Sequence, residues 1–264
     1  MMLAEERRRK IVQELRIKGA VRTSELSSML SVSEITIRND LDVLAERNLL
    51  QRAHGGAVLP EALVVEPTHT EREGVNLGQK MEIGRAAAEM VEEGSTICLG
   101  TGTTVLQMVP HLAGKRDITV LTNSLTTGLE LTKVRGIRLS IIGGSLRRRS
   151  YAMVGPSAER YFEDIYVDRL FLGVNGISVE HGITIPSVAE AQVCRLMMGA
   201  AQETFVLADS SKFSVVAHAK IADVQEIDAV VTDNMVAREY ISQLDDLEVE
   251  VVVAPAVLEE GPQA

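Results

Sequence analysis

The chain has 264 residues, is 45 % hydrophobic with only 3 % aromatic residues, and carries a formal net charge of −10. That length fits two domains, and the aliphatic composition fits a well-buried α/β interior. No apolar run is long enough to span a bilayer, and the charged start lacks the apolar stretch of a signal peptide, so a cytoplasmic location is expected. Cys98 and Cys194 lie far apart in sequence and are expected as buried, reduced thiols. The five histidines (54, 69, 111, 181, 218) show no ligand spacing, so neither a metal nor a cofactor is expected.

In chain order, residues 5–18 predict a helix with Ile11, Leu15 and Val12 facing inward and Gly19 as its stop. Residues 23–47 predict helix, tight turn, helix. Thr23 or Ser24 would cap the first helix, whose Leu26 and Leu30 sit four apart. Ser31-Val32-Ser33 breaks the period, and the Ser33 hydroxyl can cap the next turn. In the second helix Ile37, Leu41 and Leu44 form a core stripe. The opposite face carries Ile35, Thr36, Asn39, Asp42 and Val43, with Arg38 at its rim. A buried stripe beneath a donor-rich outer half suits the recognition helix of a helix-turn-helix. Residues 49–57, ending at Gly55-Gly56, predict a small β-wing. Residues 1–57 hold ten Lys/Arg against eight Asp/Glu, so this stretch is net positive in an acidic chain. Local phosphate contact requires that balance.

Residues 59–75 contain Pro60 and Pro67 without a clear period and predict a linker with room for one short ordered piece. Beyond it strands and helices alternate. Strands are predicted at 96–99, 118–121, 137–142, 167–172, 204–207, 227–231 and 249–253. Helices are predicted at 79–91, 102–112 (ending around Pro110), 124–134, 156–162, 187–201 and 235–243. This pattern implies an open, mainly parallel sheet with helices on both faces. The last strand, 249–253, can be an edge or an interface, and internal burial is the reading preferred. Ligands of such sheets bind at the carboxyl ends of the strands. Those ends carry Gly100-Thr101-Gly102-Thr103-Thr104, Thr122-Asn123-Ser124, Gly143-Gly144 with Arg147, Asn175-Gly176 and Ser210-Ser211-Lys212. Gly102-Thr103-Thr104 opens a helix directly after a strand, which suits a phosphate.

The chain resembles the DeoR family of bacterial transcription regulators. The N-terminal likeness rests on Arg9-Lys10-Ile11, Val32-Ser33-Glu34, Thr36-Ile37-Arg38, Asp40-Leu41, Leu49-Leu50, Arg52 and His54-Gly55-Gly56-Ala57. The C-terminal likeness rests on Gly102-Thr103-Thr104, Thr122-Asn123-Ser124, the run from Gly143 to Arg147, Val154-Gly155-Pro156, the run from Gly173 to Ile177, Glu190-Ala191 and the run from Ala208 to Phe213. The resemblance implies a helix-turn-helix domain over 1–58 and a linker over 59–75. It also implies a sensor domain over 76–254, similar in fold to ribose-5-phosphate isomerase, and a tail over 255–264. The DNA-binding segment would be 20–39, from Ala20 to Asn39. Its expected contacts are Ser33, Ile35, Thr36, Arg38 and Asn39, with Arg52 and His54 from the wing. Asn39 stands where relatives often carry Arg, and Asn suits adenine where Arg suits guanine or phosphate.

The same resemblance implies a phosphorylated-sugar effector. Gly102, Thr103 and Thr104 would hold the phosphate, with Lys212 and Arg147 adding charge. Asn123, Asn175 and Glu190 would read hydroxyls, with Ser124, Gly143, Gly144 and Gly176 lining the same edge. The expected partners are double-stranded operator DNA, the effector and further copies of the chain. The alternative is a sugar-phosphate isomerase-like enzyme with an appended DNA-binding domain. It would need a positioned carboxylate base, for which Glu190, Asp168 and Asp209 are the candidates. A DNA-binding scaffold without a ligand is the third reading.

Overall fold

The computed structural model describes residues 3–18, 20–47, 49–53, 55–58 and 66–257. They fall into two units, Met1–Arg72 and Glu73–Ala264. The first unit runs α1 (Ala4–Lys18), β1 (Ala20–Arg22), α2 (Thr23–Leu30), α3 (Glu34–Glu46), β2 (Gln51–Ala53) and β3 (Gly56–Val58). Its three short strands pair antiparallel in the order β1-β3-β2. The helical stripes meet in one core of Ile11, Leu15, Leu26, Leu30, Ile37, Leu41 and Leu44, with Val12 partly buried at its margin.

One local expectation is corrected here. Neither Thr23 nor Ser24 caps α2: Arg22 takes the cap position without a side-chain bond. Thr23 is buried instead, and its amide donates to the Gly55 carbonyl at 2.8 Å, so wing backbone does the capping. Ser31 closes α2 at φ 52°, a left-handed conformation that a short polar side chain tolerates. The predicted stop at Gly19 lies outside the described residues.

The predicted linker contains one helical turn, α4 (His69–Glu73), and its residues 59–65 lie outside those described. The second unit opens with α5 (Leu77–Glu89) and β4 (Thr96–Leu99), followed by a 3-10 helix at Val105–Leu112. β5 (Thr119–Thr122), α6 (Leu125–Leu131) and β6 (Arg138–Ile141) come next, then the hairpin β7 (Ser145–Arg147) and β8 (Ala152–Val154) and α7 (Pro156–Arg160). β9 (Val167–Gly173), β10 (Gly176–Ser178), β11 (Gly182–Ile185), α8 (Val188–Ala200) and β12 (Ala201–Leu207) lead to β13 (Ala219–Ala222). β14 (Ala229–Thr232), α9 (Arg238–Asp245) and β15 (Glu250–Val253) complete it.

Seven strands form one sheet in the order β15-β14-β12-β9-β4-β5-β6, and every pairing in it is parallel. All seven predicted strands are its members. Successive side chains of a strand face opposite sides, and the core divides accordingly. Cys98, Leu170, Leu172, Val206 and Val230 pack with α8 residues on one face. Ile97, Leu99, Phe171, Phe205 and Leu207 pack with α5 and the 3-10 helix on the other, where Phe171 and Phe205 stack at 5.3 Å. The 3-10 helix runs through Pro110 to Leu112 instead of ending at the proline. β15 is an edge strand with Val253 exposed, so the internal position preferred from its run of valines does not hold. The hairpin β7-β8 and the antiparallel sheet β10-β11-β13 were not predicted.

Candidate functional site

Two sites arise, one in each unit. In the first, Ser33 stands at the N-cap of α3, and its Oγ accepts from the Thr36 amide at 3.3 Å. The Ser33 and Thr36 hydroxyls also bond each other at 2.9 Å. Ile35 is 69 % exposed, a large apolar side chain offered to solvent at the start of the helix. Arg38 is exposed and pairs with Glu34 one turn back at 3.1 Å. Such a surface pair is worth about 0.3–0.5 kcal/mol, so a base or phosphate can take the guanidinium from it. Asn39 is exposed and has no hydrogen-bonded partner among the described residues. Arg52 on β2 reaches Asp42 of α3 at 3.1 Å and the Gly56 carbonyl at 3.3 Å, which ties the wing to the helix. His54 lies outside the described residues.

Asp40 is the residue of this unit whose role the sequence did not reveal. It is buried on α3, and both of its oxygens are held by α1. Arg7 Nε donates to Oδ2 at 2.5 Å and Arg8 Nε to Oδ1 at 2.8 Å. This clamp sets α3 against α1 and so aims the exposed face. Its signal in the sequence was an acid one residue from the core stripe.

The second site lies at the carboxyl ends of β5, β4, β9 and β12, which are neighbours in the sheet. The loops there are pressed together. Gly100 N donates to the Phe171 carbonyl at 2.9 Å, and Thr122 Oγ1 donates to the Leu99 carbonyl at 2.7 Å. A side chain at Gly173 would come within 2.7 Å of the Thr101 carbonyl. Thr101, Thr103, Thr104 and Asn123 are buried here. The turn bonds of the Thr loop run from Leu106 N to Gly102 O and from Gln107 N to Thr104 O, leaving the amides of Gly102, Thr103 and Thr104 outside them.

Asp209 anchors the β12 end. Its Oδ1 accepts from Asn76 Nδ2 and the Ser211 amide, each at 3.1 Å, and from the Ser211 hydroxyl. Lys212 Nζ stands 4.0 Å from Oδ2. Burial pushes the carboxyl up, but Lys212, Ser211, the buried Lys80 and Asn76 together hold it below its ordinary value. Two buried acceptors at this edge, Asn123 Oδ1 and Asp209 Oδ2, have no hydrogen-bonded partner. Buried acceptors are normally satisfied by protein or by ordered water, and no protein group donates to these two. Asn76 and Lys80 were missed in the sequence. Lys80 did leave a signal, being a lysine one turn before Ile83 on the apolar stripe of its helix.

The structure sorts the remaining expected residues. Arg147 and Glu190, each predicted to meet the ligand, meet each other: Arg147 Nη1 stands 3.4 Å from Glu190 Oε1, which also accepts from the Ser150 hydroxyl. The Ser124 hydroxyl caps α6 by accepting from Thr127 N at 3.2 Å. Gly176 is buried where a Cβ would lie 2.1 Å from the Val215 carbonyl, and a Cβ at Gly144 would lie 2.7 Å from the Val154 carbonyl. Close backbone approach therefore accounts for both glycines. Gly143 is exposed, and Asn175 is half-buried with its amide bonded to the Thr184 carbonyl at 3.0 Å. Among the described residues no group of three or more His, Cys, Asp or Glu is placed to hold a metal ion.

The family model of the DeoR-like helix-turn-helix domain matches residues 7–62, and that of the DeoR C terminal sensor domain matches residues 75–234. The chain belongs to the DeoR family. It is a DNA-binding transcriptional regulator, with a helix-turn-helix domain in the first unit and the sensor domain in the second. Among its relatives is the HTH-type transcriptional regulator GlpR of Haloferax volcanii, 35 % identical over 95 % of this chain and 98 % of that protein. The lactose phosphotransferase system repressor of Lactococcus lactis subsp. lactis is 31 % identical over 92 % of this chain and 96 % of that protein. Regulators at this coverage leave the isomerase alternative without support. Among solved structures, ribose 5-phosphate isomerase A from Methanocaldococcus jannaschii aligns over 52 % of this chain and 55 % of that one, with 19 % identity and a TM-score of 0.39. Nothing about the chemistry of this DeoR-family sensor follows from so partial a match. Among the described residues no helix is long and apolar enough to cross a membrane.

Proposed function

We propose that this DeoR-family regulator is a cytoplasmic repressor of a carbohydrate-metabolism operon, released from its operator when a phosphorylated sugar binds the sensor domain. The observation that carries the reading is the polar edge, where no protein group donates to the buried Asn123 Oδ1 or Asp209 Oδ2 and where Lys80 and Lys212 stand by Asp209. Sugar hydroxyls supply donors to those two oxygens. The phosphate sits on the amides and hydroxyls of Gly102, Thr103 and Thr104 with Lys212, where charge-assisted hydrogen bonds are the strong ones. Arg147 and Glu190, already paired, flank the ligand, and Asn175 lies at its rim. A neutral sugar lacks the phosphate term and binds far more weakly. The relative in Lactococcus named for a lactose phosphotransferase system agrees with a sugar-linked role.

Release follows if the ligand prefers the conformer that misplaces the recognition helices. A coupling of about 1–3 kcal/mol changes DNA affinity roughly 5- to 150-fold. Two copies of the chain present two recognition helices to paired half-sites. Replacing Thr103 and Thr104 together by Val, or Lys212→Met, should keep operator affinity and abolish the response to ligand. Titration of each variant with a panel of sugar phosphates, read by operator release, checks this. Variants that still release DNA at the wild-type ligand concentration would place the phosphate elsewhere.

A further inference from the structure

We propose that Ile35 reads the 5-methyl group of a thymine in the operator, and so sets a sequence preference that hydrogen bonds do not supply. The inference rests on the reading that α3 is the helix that enters the DNA. Ile35 is the second residue of α3 and is 69 % exposed. At about 100° per residue, it shares with Asn39, Asp42 and Glu46 the face opposite the buried stripe of Ile37, Leu41 and Leu44. That face divides along its length. Its acids stand in the carboxyl-terminal half, where Asp42 is held by Arg52 at 3.1 Å. The amino-terminal half carries Ile35 and the exposed Asn39. Glu34 beside them is paired with Arg38 at 3.1 Å.

Local structure does not account for an isoleucine there. Isoleucine is a poorer helix former than alanine, glutamate or lysine, and a side chain this exposed adds little to the core. Its stiffness suits contact. An isoleucine in a helix keeps one χ1 rotamer about 90 % of the time, so little freedom is lost when it meets a partner. The hydroxyls of the same turn, Ser33 and Thr36, bond each other at 2.9 Å, and the group presented between them is apolar. In the major groove the apolar group that marks one base pair from another is the thymine methyl. Residues near the amino terminus of a helix in that groove are the ones that meet base edges. Charge brings the DNA to this unit, since residues 1–57 hold ten Lys/Arg against eight Asp/Glu.

The test uses the full chain, which first selects its preferred duplex from a pool of random sequence. Each thymine of that duplex is then replaced in turn by deoxyuridine, which removes only the methyl group. One buried methyl is worth about fourfold in affinity, so wild type should lose about fourfold at one thymine of a half-site. Ile35→Ala should bind the thymine duplex more weakly than wild type and show no further loss with deoxyuridine at that position. Met29 on α2 is another exposed apolar residue of the unit, at 46 %, and Met29→Ala should keep the wild-type response. Alanine favours both helices, and circular dichroism confirms that both variants remain folded. A selected duplex without thymine, wild-type affinity unchanged at every substituted thymine, or an equal methyl response in Ile35→Ala would overturn this role while leaving the operator reading in place. So would loss of the response in Met29→Ala. A chain that selects no sequence overturns both.

Discussion

Asp40 and Asp209 are both buried, one in each unit, and their surroundings differ. Asp40 has a guanidinium on each oxygen, Arg7 on one and Arg8 on the other. Asp209 has Asn76 and Ser211 on Oδ1, while Oδ2 has Lys212 only at 4.0 Å and no hydrogen bond. A buried carboxylate with an arginine on each oxygen fixes geometry. One with an oxygen that no protein group donates to keeps the capacity to accept a further hydrogen bond. The DNA-binding unit buries its joint and exposes its reading face, with Ile35, Arg38 and Asn39 in solvent. The sensor unit places its polar groups inside the strand ends, with Thr103, Thr104 and Asn123 buried.

Breaking the joint should have the largest effect. Asp40→Ala leaves Arg7 and Arg8 without their acceptor. Breaking a buried pair costs about 3–5 kcal/mol, but these arginine side chains are 11 % and 20 % exposed. Water then takes up part of the lost bonding, and a cost of about 2–3 kcal/mol to the DNA-binding unit is expected. In urea unfolding of the full chain the transition of that unit should move to lower denaturant, with the sensor transition unmoved. If both transitions stay in place, Asp40 is not the joint described.

The reading face should respond in the opposite manner. Arg38→Ala removes only an exposed pair with Glu34, so stability should change by less than about 0.5 kcal/mol. Loss of a base contact should cost about 1–3 kcal/mol in operator affinity. A gel-shift titration at moderate salt that finds wild-type affinity would remove Arg38 from the contact set.

The two units also differ in how far their residues announced them. Leu26, Leu30, Ile37, Leu41 and Leu44 recur at helical spacing, and the core uses all of them. Runs such as 96–99 and 167–172 are buried on both faces, so they stand out as continuous apolar strands. The missed strands are short. β7, β8 and β10 have three residues each, too few for a period, although their partners are close in the chain. Sequence distance hides the clamp and the polar edge. Arg7 and Asp40 are 33 positions apart, and Asn76 and Asp209 are 133 apart. Glu190 and Arg147 each looked available in sequence because only the fold brings the β7 hairpin against α8. Gly176 looked like ligand-loop chemistry, yet its need for glycine comes from the Val215 carbonyl above it.

The smallest effect separates capping from reading at a residue that could do either. Ser33 accepts from the Thr36 amide at 3.3 Å and bonds the Thr36 hydroxyl at 2.9 Å. It therefore satisfies one of the amides left open at the start of α3. Replacing a serine cap by alanine costs about 1 kcal/mol, and replacing it by glycine only a few tenths. If capping is its main role, Ser33→Ala should lower the stability of the DNA-binding unit by about 1 kcal/mol and Ser33→Gly by much less. Operator affinity should then fall in the same order, because frayed recognition helices bind poorly. If the hydroxyl instead serves a phosphate, both variants should lose affinity equally while only Ser33→Ala loses stability. Urea unfolding and operator titration of the same two variants distinguish the outcomes: equal affinity loss would move Ser33 from the frame of the reading helix to its contact surface.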